Sequence, residues 1–107
     1  MKSAQVSEIR FNELNENDTV VLETANNVYR FQLRSRDHQM GMLEGGAVHG
    51  ENTAVIGGTM LEGEEFLDDR VRVGGRALFF SQLPTTGNLV KRIVTSPVAR
   101  ISVDRAA

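Results

Sequence analysis

The stretch VVLETANNVYRFQL, Val20 to Leu33, decides the fold class. Two runs rich in β-branched and aromatic residues flank Asn26-Asn27, a pair that tolerates the positive φ values of a two-residue type I′ turn. Centring the turn there predicts a register with Ala25 opposite Val28, Thr24 opposite Tyr29, Glu23 opposite Arg30, Leu22 opposite Phe31, Val21 opposite Gln32 and Val20 opposite Leu33. Alternation then puts Val20, Leu22, Thr24, Tyr29, Phe31 and Leu33 on one face. Glu23 meets Arg30 on the other as a cross-strand pair of opposite charge. The reading is a β-hairpin with one apolar face.

Working outward, Ile9, Phe11 and Leu14 suit a short strand or a single helical turn, and Asn15-Glu16-Asn17-Asp18 reads as the turn into Thr19. Three glycine pairs, Gly45-Gly46, Gly57-Gly58 and Gly74-Gly75, punctuate the middle as turns between short strands at Met40–Glu44, Thr53–Ile56, Thr59–Leu61 and Val71–Val73. Their unequal spacing gives no internal repeat. Leu61–Asp69 is acidic and suits either a loop or one helical turn, with Gly63 against the helix. Strands follow at Arg76–Gln82 and Leu89–Thr95, with a turn at Pro84–Asn88 between them. After Pro97 a last strand, Val98–Val103, places Ala99, Ile101 and Val103 on one face. The expectation is an all-β domain of about 6–8 short strands over residues 1–107, a small antiparallel β-barrel or compact sandwich. It resembles SH3-type small barrels in texture, without a family motif.

Composition bounds the function. With 107 residues the chain has material for one ordinary domain, and 40% hydrophobic against 24% charged residues is a globular balance. The absence of cysteine excludes disulfides, thiolate metal sites and cysteine nucleophiles, and makes the cytoplasm the expected compartment. The N-terminal MKSAQVSEIRF lacks an apolar signal region, and the longest apolar run is Ala77–Phe80, so no membrane association is expected.

No motif carries chemistry. A metal or general base would run through His38 or His49, near Asp37, Glu44 and Glu51, but neither His-Glu-x-x-His nor His-x-His spacing occurs. None of the six serines sits in a Gly-x-Ser-x-Gly elbow. Glu62, Glu64, Glu65, Asp68 and Asp69 read as a solvated acidic loop before they read as a glycosidase pair. Phosphate-binding glycine loops are absent. No enzyme activity, cofactor or metal is expected, and a small-molecule ligand is not specified.

Charge is the unusual feature. Residues 1–69 hold five basic against thirteen acidic residues, a balance of −8, whereas residues 70–107 hold seven basic against Asp104 alone, a balance of +6. The halves either neutralise one another within the fold, meet across a subunit contact, or leave the arginine-rich half to track nucleic acid. Nucleic acid fits least: Tyr29 and Phe31 belong to the hairpin's apolar face, and tryptophan is absent. Self-association is expected from strands apolar on both sides. In Arg76–Gln82, Ala77 and Phe79 alternate with Leu78 and Phe80; in Leu89–Thr95, Leu89 and Ile93 alternate with Val90 and Val94. The expected function is a non-enzymatic module for protein interaction or homo-oligomer assembly, with a small nucleic-acid-binding barrel using the arginine-rich residues 70–107 as the alternative. The interface candidates are Phe79 or Phe80 with Arg76, Arg92 and Arg100.

Overall fold

The computed structural model describes residues 3–46, 48–63, 65–82 and 90–106, leaving aside the side chains of Val48, His49, Glu51, Gln82 and Val90. Leu89 and the expected turn at Pro84–Asn88 lie outside the described residues. Eleven strands are described: β1 (Ser3–Val6), β2 (Glu8–Arg10), β3 (Thr19–Glu23), β4 (Val28–Ser35), β5 (Met40–Gly45), β6 (Val48–Met60), β7 (Phe66–Leu67), β8 (Arg70–Arg72), β9 (Arg76–Gln82), β10 (Val90–Pro97) and β11 (Arg100–Asp104). A single 3-10 turn, Phe11–Glu13, follows β2.

β3 and β4 form the expected hairpin with the expected faces and a different register. Glu23 opposes Val28, Leu22 opposes Tyr29, Val21 opposes Arg30 and Val20 opposes Phe31. The turn closes one residue earlier than the Asn26-Asn27 reading requires. The Thr24 N–H donates to the Asn27 carbonyl at 2.9 Å, and the Asn27 N–H donates to Thr24 Oγ1 at 3.1 Å. Ala25 and Asn26 are therefore the central pair, and no residue of the turn has a positive φ. The threonine hydroxyl takes the N–H that a plain hairpin would give to the backbone, so the turn needs no left-handed residue. Moving the turn by one residue changes every partner by two, which leaves each side chain on its own face. Glu23 thereby loses Arg30 and sits opposite Arg100 of β11, 3.7 Å from its guanidinium.

All pairings are antiparallel, in the order β1-β11-β3-β4-β5-β6-β9-β10, with β7 beside β6 and a separate two-stranded sheet of β2 and β8. In a flat sheet β4 and β9, three steps apart, would be about 14 Å from one another. Yet the fully buried rings of Phe31 and Phe79 have centroids 5.6 Å apart. The sheet coils until its inner faces meet. Leu22, Leu43, Ile56 and Ile101 join the two rings in one core, as do Ile9 and Val71 of the small sheet. Each such side chain contributes on the order of 2 kcal/mol by leaving water. The radius of gyration, 12.9 Å, is that of a compact chain of this length. The ladder itself is open: among the described residues no pairing joins the end strands β1 and β10.

Three sequence expectations change in detail. Gly57-Gly58 is not a turn between two short strands but an irregularity inside the thirteen-residue β6, where the register against β9 shifts between Ile56 and Gly58. Gly58 has φ +142°, and a Cβ there would lie 2.2 Å from the Leu67 carbonyl oxygen. Leu61–Asp69 forms no helix among its described residues; it turns at Gly63 and pairs as β7. Finally, Val98 is buried and Ala99 exposed, the reverse of the alternation expected. Val98 exchanges hydrogen bonds of 2.8 Å with the Gly74-Gly75 turn before β11 begins, and that local pairing aims its side chain into the core.

Candidate functional site

β9 sends Ala77, Phe79 and Ser81 inward, because their cross-strand partners on β6, Thr59, Ile56 and Ala54, are buried. Leu78 and Phe80 consequently point to the outer face, where Leu78 is nonetheless buried. Phe79 is wholly buried, whereas Phe80 is 37% exposed. β10 repeats the pattern: Ile93 opposes Phe79 and packs against the core, while Val94 opposes Leu78 and is 37% exposed. The expected doubling of apolar faces thus resolves into one core face and one outer face.

The outer face is built in rows across β6, β9 and β10. Val55, Phe80 and Arg92 form one row, and Gly58, Leu78 and Val94 the next. Met60, Arg76 and Pro97 form a third, with Phe66 of β7 beside Met60. The two half-exposed phenylalanines lie over the glycine pair. A Cβ on Gly57 would stand 2.8 Å from the Phe80 ring, and one on Gly58 2.9 Å from the Phe66 ring. Glycine is needed at these positions because each ring occupies the space a side chain would fill. Met60 and Phe66 escaped the sequence reading, since Met60 lies within a short expected strand and Phe66 inside a stretch defined by its acidity. The signal was Phe66 itself, an aromatic residue among carboxylates.

Of the candidate residues, the structure groups Phe80, Arg76 and Arg92, buries Phe79 beneath them, and sets Arg100 on β11, separated from β9 by four intervening strands in sheet order. Arg76, Lys91 and Arg92 are exposed and make no ion pair among the described residues. The other arginines of the basic half have partners. Arg70 and Arg72 each reach Glu8 at 3.1 Å, Arg70 also reaches Asp69 at 2.9 Å, and Arg105 reaches Asp18 at 2.8 Å. Hydrogen bonding from Arg72, with Arg70 close by, holds the Glu8 carboxyl below its ordinary range. Arg70 does the same for Asp69. Burial works to raise the Asp18 carboxyl, but the N–H groups of Ala106 and Asn15 and the Arg105 guanidinium outweigh it and hold the group low.

A second feature is a shallow depression of about 240 Å³ over β3, β4 and β5, lined by Thr19, Arg30, Gln32, Arg34, Met42 and Glu44. Arg30 faces Glu44 in register without closing to an ion pair. His38 is exposed in the turn between β4 and β5, and the His49 and Glu51 side chains lie outside those described. Among the described residues no three histidine or carboxylate side chains converge as metal ligands, and no helix is long and apolar enough to cross a membrane. No family model, curated protein or solved structure matches this chain.

Proposed function

We propose that the chain is a non-enzymatic, barrel-like β module whose work is self-association through the outer face of β6, β9 and β10. The observation that carries the reading is the cluster of Phe80, Val94, Met60 and Phe66, each more than a third exposed. Contiguous apolar surface of this kind marks contact sites on proteins that are otherwise polar outside. Face contact is favoured over edge contact, because the end strand β10 carries Lys91, Pro97 and an irregular register after Val94, features that discourage strand addition. The barrel-like part rests on the coiling that brings β4 and β9 together around one core. A nucleic-acid reading has less to build on: Arg70, Arg72, Arg100 and Arg105 already face carboxylates, which leaves Arg76, Lys91 and Arg92 on the basic half.

Light scattering across a concentration series tests the reading. The wild-type chain is expected to exceed monomer mass at micromolar concentration, and Phe80→Asp to run as a folded monomer. A wild-type monomer at about 100 μM, a concentration at which even weak interfaces fill, would remove the basis for self-association.

A further inference from the structure

The outer face is flanked by opposite charges on its two sides. On the β7 side of β6, the segment Leu61–Asp69 contains no basic residue, and its exposed Glu62, Glu65 and Asp68 make no ion pair among the described residues. On the other side, β9 and β10 contain no acidic residue, and Arg76 and Arg92, both on this face, make no ion pair among the described residues. Between them lies an apolar strip in which Phe66, Met60, Phe80 and Val94 are exposed and Leu78 is buried. A face with acid on one flank, base on the other and apolar residues between is complementary to itself after a half-turn.

Resting on the self-association proposed above, we infer that the partner is a second copy bound about a two-fold axis lying in the plane of the face. That axis exchanges the β6–β7 and β9–β10 hairpins, so that Glu62, Glu65 and Asp68 of each copy meet Arg76 and Arg92 of the other. An isologous contact must bring one surface patch onto itself. Two placements of the axis do so for a sheet face. One stacks each hairpin on its own counterpart, acid on acid and base on base, and like charges set opposite one another oppose assembly. The other exchanges the hairpins and satisfies both flanks at once. Electrostatics selects the second and also closes the assembly at two copies, because both flanks of each copy are then used.

Charge reversal tests this placement. The double variants Arg76→Glu/Arg92→Glu and Glu65→Lys/Asp68→Lys change only exposed residues, and circular dichroism confirms that each remains folded. Each is expected to raise the dimer dissociation constant about tenfold or more at low salt. Mixed one to one, the two variants are expected to form a heterodimer, and all four substitutions in one chain are expected to restore the homodimer. Raising the salt concentration should weaken the wild-type dimer and relieve the repulsion in each double variant. If wild type dimerises and neither double variant weakens it, the hairpin-exchanging axis is wrong while self-association stands. If wild type is a monomer, the reading on which the inference rests fails with it.

Discussion

The two sides of this molecule treat charge differently. Around the small β2–β8 sheet and the C-terminal segment, the cations are matched within the chain: Glu8 lies between Arg70 and Arg72, and Asp18 holds Arg105. Across β6, β9 and β10 no ion pair forms among the described residues, and Arg76 and Arg92 border half-exposed phenylalanine and valine. The lesson concerns how linear asymmetry becomes surface. Antiparallel pairing of sequence-distant strands cancels much of the contrast between residues 1–69 and 70–107, since Glu8 and Arg72 are 64 positions apart yet directly opposed. In the basic half, what survives cancellation among the described residues is Arg76, Lys91 and Arg92, and Arg76 and Arg92 lie on the apolar outer face.

The largest effect that would break this contrast lies in the adjacent pair Phe79 and Phe80. Phe79→Ala removes a ring packed on Phe31 in the core and is expected to destabilise the fold by about 3–5 kcal/mol in chemical denaturation. Phe80→Ala should leave the unfolding of the dissociated chain within about 1 kcal/mol of wild type and act on assembly instead. Equal losses from the two substitutions would mean that the outer face is as integral to the fold as the core, and the contrast would collapse.

Which of the two rings faces inward is not legible in the sequence. Ala77–Phe80 is apolar at every position, so alternation names two faces without ranking them. Pairing with Ile56 ranks them, and that information is non-local. The hairpin faces, by contrast, are legible because Tyr29, Phe31 and Leu33 keep period two with Arg30 and Gln32 between, and Leu22 and Thr24 flank Glu23 in the same way. Their register is not, because a hydroxyl at Thr24 competes with the asparagines for control of the turn. β1 leaves no trace: Ser3, Ala4 and Gln5 are exposed and polar or small, and the strand exists by hydrogen bonding to β11. The arginines of the candidate site are legible as charge. Which of them stay unpaired depends on carboxylates delivered by other strands.

A smaller effect sharpens the matched side. Asp18 is buried and accepts from the N–H groups of Asn15 and Ala106, each at 2.9 Å, and from Arg105. Asp18→Asn turns an amide donor toward groups that are themselves donors and is expected to cost about 2–3 kcal/mol. The native carboxyl titrates below its ordinary value of 3.8, so its stabilising contribution is complete above that pH and is lost as pH falls through the lower native value. Denaturant midpoints measured from pH 6 down to pH 2 should therefore fall more steeply for wild type than for Asp18→Asn. Glu8 and Asp69 titrate in the same direction in both proteins, so the difference between the two curves belongs to Asp18. Parallel curves would mean that the C-terminal segment is held by something other than this carboxylate.

The smallest effect compares one arginine from each side. Arg72 donates to Glu8, and Arg92 has no carboxylate within reach among the described residues. Both are surface side chains, where a single ion pair contributes little and is screened by salt. Arg72→Gln should lower Tm slightly at low ionic strength, with the difference shrinking as salt is added, because Glu8 keeps Arg70 but loses one of its two strong donors. Arg92→Gln should leave the Tm of the dissociated chain unchanged at any salt concentration, since no attraction within the chain is removed. Its consequence should appear only where copies meet, as a rise in the concentration needed for association. Measuring Tm below and above that concentration separates the two cases: an Arg92→Gln deficit in dilute protein would mean that Arg92 has a partner within its own chain and that the outer face, like the β2–β8 side, matches its charges internally.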